Sequence, residues 1–203
     1  MLIDYTGPPT KPGLPRTRQP GDEPVGATSY RRPARTGQDG AMRLHPNVRA
    51  VQDALDAAAA VDATGNPSRV RLLPDAVHTA AAAAAALGVL VGQIANSLVF
   101  EADGSPLLAL TSGAHRADPG KLAAAVGATR VRRATADFVR EHTGQPIGGV
   151  APLGHPGPVP TLVDTALSGY EEIWAAGGVP RAVFSTTYAE LTRITGGTPV
   201  EVA

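Results

Sequence analysis

Cysteine is absent from the 203 residues of this chain, and aromatic side chains account for only 4% of it. Without cysteine the protein has no disulfide, no thiolate nucleophile and no thiolate metal ligand, which is consistent with a reducing compartment. Since 43% of the residues are hydrophobic but few are aromatic, the core must consist mainly of aliphatic and alanine side chains. This length is typical of one domain with a tail.

Long apolar runs and an excess of either charge are also missing. No run approaches the roughly 20 residues of a membrane-spanning helix, and the N-terminus lacks the pattern of a signal peptide. We therefore expect a cytoplasmic protein that does not contact a membrane. The net charge is zero, and residues 44–203 hold eleven Lys and Arg against fourteen Asp and Glu. Because extensive nucleic-acid binding needs a strongly basic face, DNA is not an expected partner, and only local contact with RNA phosphates remains open.

The first 43 residues contain seven of the nineteen prolines, six glycines and scattered arginines, with almost no large aliphatic side chains. Such a segment cannot bury enough apolar area to offset the entropy that it loses on ordering. We therefore predict a disordered extension over residues 1–43 and a folded domain over residues 44–203. The extension is either a weak basic arm for RNA or a solvated tail without a role, and the second interpretation is favoured.

Turn residues divide the predicted domain into short helices and strands. The sequence predicts helices at 46–60, 80–87, 121–126, 136–142 and 187–195, and strands at 70–73, 89–100, 107–111, 129–133, 159–163, 172–175, 182–185 and 199–202. Asp103-Gly104 is typical of a hairpin turn. Because hairpins interrupt any regular βαβ series, we predict a mixed α/β domain.

The main functional hypothesis depends on a glycine- and proline-rich stretch over residues 148–164, which reads GGVAPLGHPGPVPTLVD. A glycine backbone can approach a ligand closely because no Cβ is in the way, and proline stiffens a loop. The stretch therefore indicates a small pocket whose polar groups are backbone amides. The alternative is a surface connection that is simply rich in turn formers.

Motifs for familiar hydrolytic chemistry are missing from the sequence. The five histidines do not have metal-ligand spacing, so a metal-dependent hydrolase, which chelators would inhibit, is disfavoured, and we expect no metal and no cofactor. No GxSxG motif, P-loop or carboxylate pair occurs. The remaining pocket candidates are Asn96, Ser97, Thr111, Ser112, His155, Thr161 and Asp164. Such a site could orient a water molecule and stabilise an oxyanion on an already labile ester.

Six basic residues between Arg116 and Arg140 form the only basic concentration in the predicted domain. Most such runs are solvated faces, and the alternative is a contact with RNA phosphates. The residues that we assign to this contact with tRNA are Arg130, Arg132 and Arg133.

The order of several motifs resembles the YbaK/ProX-like aminoacyl-tRNA editing family, whose domain is also inserted in some bacterial prolyl-tRNA synthetases. Between Thr79 and Gly197 these motifs are TAAAAAAALG, QIANSLVF, a hairpin, GGVAPLGHPGPVPTLVD, AAGG and STTYAELTRITGG. The resemblance implies a curled mixed β-sheet or partial barrel surrounded by short helices. It also implies hydrolysis of the ester between a wrong amino acid and the terminal adenosine of a tRNA.

The resemblance also implies site residues. The family's GxxxP loop corresponds to residues 148–152, so Gly148 and Gly149 are expected to present backbone amides to the ester while Pro152 fixes the loop. Asp164 corresponds to the family's aspartate, which either holds the loop and strand together or binds the amino group. The later glycine pair corresponds to Gly177 and its neighbour. Family members are thought to use the ribose hydroxyl of the substrate, which explains why no protein nucleophile is found.

One position departs from the family pattern. Typical members carry a lysine where this chain has Asn96, which we expect to orient the aminoacyl-adenosine end. Asparagine is a neutral donor and acceptor, whereas lysine carries a full positive charge. The first hypothesis is a free-standing deacylase that acts in trans on the 3′ end of aminoacylated tRNA, with an aminoacyl-tRNA synthetase as a further partner. The alternative is a non-catalytic module that binds an aminoacyl group, tRNA or a protein.

Overall fold

A computed structural model describes residues 44–203, and the predicted extension over residues 1–43 lies outside them. The helices are α1 (Pro46–Ala57), α2 (Ala80–Leu87), α3 (Pro119–Val126), α4 (Ala136–Thr143) and α5 (Tyr188–Thr195). The strands are β1 (Arg71–Leu72), β2 (Ile94–Ala102), β3 (Ser105–Ser112), β4 (Val131–Arg133), β5 (Thr161–Asp164), β6 (Ile173–Ala176), β7 (Ala182–Thr186) and β8 (Thr198–Val200). None of the described helices is long and apolar enough to cross a membrane.

The strands form one mixed sheet in the order β1-β7-β6-β2-β3-β5-β8, and β4 pairs with β2 outside this path. The pairs β2–β6, β3–β5 and β5–β8 are parallel, and the remaining pairs are antiparallel. The prediction of a mixed α/β domain built on a mixed β-sheet is therefore confirmed.

The hairpin between β2 and β3 is the centre of the sheet. Asp103 and Gly104 form its two-residue turn with φ angles of 48° and 88°, as a tight hairpin of this hand requires. The Asp103 carboxylate accepts hydrogen bonds from the backbone N–H groups of Thr129 (2.7 Å) and Arg130 (2.9 Å). These bonds hold the strand β4 against the outer end of β2.

Most predicted element boundaries lie within a few residues of the structure, but the start of β2 was wrong. The sequence predicts a strand from Val89, whereas a 3-10 turn occupies Val91–Gln93 and the strand begins at Ile94. The Gln93 side chain accepts from the Leu90 N–H (3.0 Å) and donates to the Glu172 carbonyl (2.9 Å). These side-chain bonds stabilise a turn that the apolar run concealed.

The helices pack through small and aliphatic side chains, as the composition requires. The helix α1 buries Val48, Val51 and Leu55. In α2 the buried residues are Ala83 and Ala84, whose short side chains allow the helix backbone to lie close to the sheet. One face of α2 is thereby placed beside the start of β2, where the candidate site lies.

Candidate active site

The central strand β2 is paired along only part of one edge, which leaves a split in the sheet. On one side β3 pairs with β2 over residues 95–102. On the other side β6 pairs with Ile94 and Ala95, and β4 pairs with residues 100–102. In the described part of the chain, residues 96–98 therefore have no strand beside them on that edge.

A cavity of about 350 Å³ lies at this split. Its walls come from β2, α2, β6, β7 and the first residues of the glycine-rich loop. The polar side chains in the lining belong to His78, Thr79, Asn96, Ser97, Arg133 and Trp174. Among the described residues that line it, none is an aspartate or glutamate, so a ligand meets one guanidinium and no carboxylate.

Two buried polar atoms of the cavity have no hydrogen-bond partner within residues 44–203. They are the Ser97 hydroxyl and the indole N–H of Trp174. Buried polar groups in folded proteins are nearly always paired, and an exception needs a physical reason. Both atoms belong to residues that line the cavity, so the cavity is suited to a ligand that carries polar atoms of its own.

Gly148 and Asn96 line the same cavity, although they are far apart in sequence. Gly148 has a φ of +83°, and a Cβ at this position would approach Nδ1 of His78 to 3.1 Å. A larger residue would therefore be strained and would push against the imidazole at the cavity wall. The structure thus brings together the start of the loop and the middle of β2, as the sequence predicted.

Gly149 has a different place from the one that we expected. Its backbone N–H donates to the Pro146 carbonyl (3.0 Å), so this amide is already paired, and Gly149 is not among the residues that line the cavity. A Cβ on Gly149 would lie 2.5 Å from the Cα of Val179, which is backbone and cannot move aside. Close packing between two loops, rather than contact with a ligand, is the physical reason for glycine here.

The rest of the loop is fastened by Gln145, a buried residue that the sequence analysis did not identify. Its Oε1 accepts from the Ala151 N–H (2.6 Å), and its Nε2 donates to the Leu153 carbonyl (3.5 Å). One carboxamide thereby spans the turn that contains Pro152, which is itself buried. Only the neighbouring Gly-Gln-Pro sequence hinted at this role, and it resembles any turn.

The helix α1 contacts the loop that contains Gly144 and Gly154 and the loop that contains Gly178. The Asn47 side chain donates from Nδ2 to the carbonyls of Gly144 (3.2 Å) and Gly178 (3.3 Å). A Cβ on Gly154 would lie 3.1 Å from the backbone of Ala50. The loop beside the cavity is therefore held from two directions, which keeps the cavity wall in place without a ligand.

His155 is half-buried and points back into its own loop. Its Nε2 lies 2.9 Å from the Ala151 carbonyl, and because a carbonyl only accepts, this nitrogen carries the proton. Burial lowers the pKa of His155, since it disfavours the charged imidazolium, and the bond to Ala151 opposes this only partly. His155 therefore stabilises the loop and is not part of the cavity lining.

Asp164 is fully buried and lies outside the cavity lining. Its Oδ2 accepts from the Ser112 N–H (3.0 Å) and lies 2.9 Å from Nδ1 of His115, while its Oδ1 accepts from the Ala166 N–H (3.0 Å). The Ser112 hydroxyl donates to the Gly92 carbonyl (2.9 Å). Of the two expected roles, these contacts match the one in which Asp164 holds the loop and strand together.

The other predicted pocket residues make internal contacts. The Thr111 hydroxyl donates to the Asn96 carbonyl (3.4 Å), and the Thr161 hydroxyl donates to the Val159 carbonyl (2.9 Å). The Gly177 N–H donates to the Ala182 carbonyl (2.7 Å) at the turn between β6 and β7. These residues frame the strands around the cavity but do not line it.

The three arginines near β4 differ in their surroundings. Arg132 pairs with Glu101 through Nη2 and Oε1 at 2.7 Å. The backbone N–H of Arg130 donates to the Asp103 carboxylate, and the Arg130 side chain is exposed. Arg133 lines the cavity, with its guanidinium 5.7 Å from the ring centre of Phe100. Within residues 44–203 Arg133 has no carboxylate partner, so it is the cation best placed for an anionic ligand.

Several residues that line the cavity were not found by sequence reasoning, among them His78, Ile147 and Trp174. Trp174 is the only tryptophan of the chain, and it precedes the Gly177-Gly178 turn, which was a usable signal. His78 and Ile147 had no such signal because they lie in irregular segments that only the fold brings together. No group of three or more potential metal ligands occurs among the residues that the structure describes.

Comparison with known proteins gives a consistent result. The profile of the aminoacyl-tRNA editing domain matches residues 74–194. A proline–tRNA ligase of Nitratidesulfovibrio vulgaris (strain DP4) is 32% identical over 133 residues, which cover 60% of this chain and 23% of the ligase. A proline–tRNA ligase of Geobacter sp. (strain M21) is 36% identical over 86 residues, 42% of this chain and 15% of that protein. The chain thus spans less than a quarter of the length of these relatives.

This chain is also similar to a solved structure over nearly the whole length of the solved chain. The solved structure belongs to a protein proposed to be a trans-editing enzyme for prolyl-tRNA synthetase, and it is 44% identical to this chain. The similarity covers 78% of this chain and 98% of that one, with a TM-score of 0.70.

Proposed function

The chain belongs to the aminoacyl-tRNA editing domain family, and from this premise we propose that it hydrolyses mischarged tRNA in trans. In the proposed reaction, water attacks the carbonyl carbon of the aminoacyl ester. The bond between this carbon and the ribose oxygen breaks, which releases a free amino acid and a tRNA with a free 3′ end. The ribose hydroxyl next to the ester accepts the proton from water and passes its own proton to the departing ribose oxygen, so no nucleophile or base from the protein is needed.

The cavity at the split of β2 is the observation that carries this proposal. It places the Asn96 carboxamide and the Gly148 backbone around one space that has no acidic side chain in its described lining. Neutral groups held in fixed positions can orient an ester and a water molecule and can stabilise a developing oxyanion. The anchored loop limits the movement of these groups, which is what positioning requires.

We propose tRNA as the carrier of the ester, with Arg133 as the contact for a phosphate near its 3′ end. A guanidinium without a carboxylate partner at the cavity wall fits a phosphate in charge and geometry. Arg132 lies on the same strand, Arg130 directly precedes it, and both are proposed to give weaker contacts. Because the relatives include proline–tRNA ligases, we propose that the tRNA is one for proline that carries a wrong amino acid.

The second candidate function is a non-catalytic module that binds an aminoacylated end. It is favoured by Asn96, since a neutral amide stands where typical family members have a lysine. Binding needs only a complementary cavity, whereas hydrolysis needs stabilisation of the transition state beyond that of the substrate. An assay that measures both binding and turnover separates the two functions.

The test is a deacylation panel with purified protein and tRNA charged with alanine, cysteine, serine or proline. We expect release of at least one non-cognate amino acid, and a loss of roughly 100-fold in kcat/KM on Asn96→Ala if the carboxamide stabilises the transition state. The matched control is Asn66→Ala, because Asn66 is an exposed asparagine in a turn. We expect this control to keep the wild-type rate.

One result would contradict the proposal, and a further variant would show its cause. If tRNA or its aminoacylated end binds but no amino acid is released from any member of the panel, the binding module is the better account. If Asn96→Lys then gains deacylation, the fold is competent and the lysine was the missing group.

A further inference from the structure

The direction of the β2 backbone can be determined residue by residue at the split. The Val99 carbonyl accepts from the Ala134 N–H (3.3 Å), so the backbone polar groups of Val99 point away from β3. The Ile94 carbonyl accepts from the Gly113 N–H (2.8 Å), so Ile94 points toward the β3 side. In an antiparallel pair these directions alternate along the strand. The backbone N–H and C=O groups of odd-numbered residues of β2 therefore point away from β3, toward the edge that β4 and β6 pair with.

Ser97 lies at the only odd-numbered position between the two partners of that edge. The pairing with β6 ends at Ala95, and the pairing with β4 begins at Phe100, where Ala134 also supports Val99. The N–H and C=O of Ser97 consequently point into the split, and Ser97 lines the cavity there. Its hydroxyl is buried and has no partner within residues 44–203.

Ser97 thus offers a backbone donor, a backbone acceptor and a hydroxyl to one ligand. The spacing of its N–H and C=O is that of an unoccupied strand position. In a hydrogen-bonded antiparallel pair, two residues facing each other exchange both N–H···O bonds. A single α-aminoacyl group carries the matching set, because its amino nitrogen donates and its carbonyl oxygen accepts.

We propose that the aminoacyl group of the substrate binds Ser97 as a one-residue β-strand. The α-ammonium donates to the Ser97 carbonyl and hydroxyl, and the ester carbonyl oxygen accepts from the Ser97 N–H. This inference rests on the proposed function, since it concerns the same cavity and the same ester.

The charge of the cavity supports this arrangement. A buried ammonium needs acceptors, and no carboxylate is found among the described lining residues. Carbonyl and hydroxyl oxygens are then the available acceptors, and Ser97 supplies both. Because the contacts use the backbone of the aminoacyl group, they hold for any α-amino acid, and the cavity walls alone decide which side chains fit.

Amide hydrogen exchange, measured by NMR on the full chain, tests this directly. The probe is 3′-(alanylamino)-3′-deoxyadenosine, which keeps the ammonium and the carbonyl but has an amide in place of the ester. We expect binding to slow exchange of the Ser97 N–H by about tenfold or more. The matched control is Leu98, whose N–H points to β3 at its Ala109 pair and is protected with or without the probe.

The outcomes separate this inference from the proposed function. If the probe binds but Ser97 exchange does not change, the inference is overturned, even when the protein deacylates tRNA. If Ser97 becomes protected and no tRNA is deacylated, the inference holds and the catalytic proposal fails. If the probe does not bind at millimolar concentration, the inference is overturned, and the deacylation panel alone decides the proposed function.

A second measurement tests the ammonium contact without altering the protein. Propionyl-tRNA has the size of alanyl-tRNA but no amino group. We compare kcat/KM for hydrolysis after correction for the uncatalysed rate of each ester. We expect the value for propionyl-tRNA to be lower by a factor of about ten or more, since bonds to a charged donor are worth about 1.5–3 kcal/mol. Equal corrected values for the two esters would overturn the ammonium contact.

Discussion

Two polar regions of opposite character lie along the hairpin of β2 and β3. Beside the end of β3, Asp164 of the neighbouring strand β5 is fully buried, and its carboxylate oxygens contact three different partners. In the middle of β2, the Ser97 hydroxyl and the nearby Trp174 N–H are buried without a partner in the described chain. Both regions belong to one sheet, so the difference does not come from a difference in fold.

The comparison shows how a structural polar group differs from a binding group. A buried group that has all its partners lowers the free energy of the folded state, and removing it leaves other groups unpaired. A buried group that lacks partners costs stability and is useful only when a ligand completes it. The sequence predicted both Asp164 and Ser97 as substrate-binding, and only the contacts separate them.

The largest expected effect is a loss of stability on Asp164→Ala. This change removes the acceptor of the buried Ser112 N–H and of the half-buried Ala166 N–H and the partner of His115, so we expect the free energy of unfolding to fall by about 3–5 kcal/mol. The control is Asp56→Ala, because Asp56 forms an exposed ion pair with Arg69 that is worth at most about 1 kcal/mol. Urea denaturation measures both. Equal losses would remove the contrast between the two regions.

The next effect concerns the packing behind the cavity. Gly149→Ala places a methyl group 2.5 Å from the Val179 backbone, and we expect the free energy of unfolding to fall by about 1–3 kcal/mol or more. Gly157→Ala is the matched control, since a Cβ there meets nothing within 4 Å. Thermal unfolding of the two variants distinguishes them. An unchanged melting temperature for Gly149→Ala would show that the two loops are not rigidly packed.

A smaller effect is expected on binding of tRNA. Arg133→Ala removes the cation at the cavity wall, so we expect weaker tRNA binding and a salt dependence whose slope is lower by about 1. Arg132→Ala should change both less, because Arg132 is already paired with Glu101. Titrations at several salt concentrations measure the slopes. A larger effect for Arg132 than for Arg133 would place the phosphate contact elsewhere on β4.

The smallest effect is a pH dependence of stability from His155. Burial lowers the pKa of this imidazole below its ordinary value of 6.5, so the unfolded state binds a proton more readily than the folded state. Stability is therefore complete above pH 6.5 and falls as the pH decreases through the window between that value and the lowered pKa. We expect His155→Gln, which keeps a donor for the Ala151 carbonyl, to reduce the change of melting temperature with pH across this window. A variant curve parallel to that of the wild type would contradict this.

The sequence was informative wherever a local pattern decides the structure. Asp103-Gly104, the N-caps Thr79 and Thr135, and the mixed α/β class were all predictable because turn chemistry and capping act over a few residues. The cavity could be predicted only in outline, through Asn96 and Gly148. The sequence could not show that β6 and β4 meet β2 at separate places, because strand pairing over long range leaves no local pattern. The gap between these two pairings is the split in the sheet. It leaves the Ser97 hydroxyl without a partner in the described chain, whereas the Asp164 carboxylate has three.

The most direct test compares two serines whose hydroxyls are buried, Ser97 and Ser68. The Ser68 hydroxyl donates to the Ser185 carbonyl (3.0 Å), whereas the Ser97 hydroxyl has no partner in the described chain. The measurement is kcat/KM for deacylation of the best mischarged tRNA by Ser97→Ala relative to Ser68→Ala. We expect a loss of about tenfold or more for Ser97→Ala without a loss of melting temperature, and a full kcat/KM with a lower melting temperature for Ser68→Ala. A wild-type kcat/KM for Ser97→Ala would contradict the claim that the Ser97 hydroxyl binds the substrate, since alanine keeps the backbone N–H and C=O.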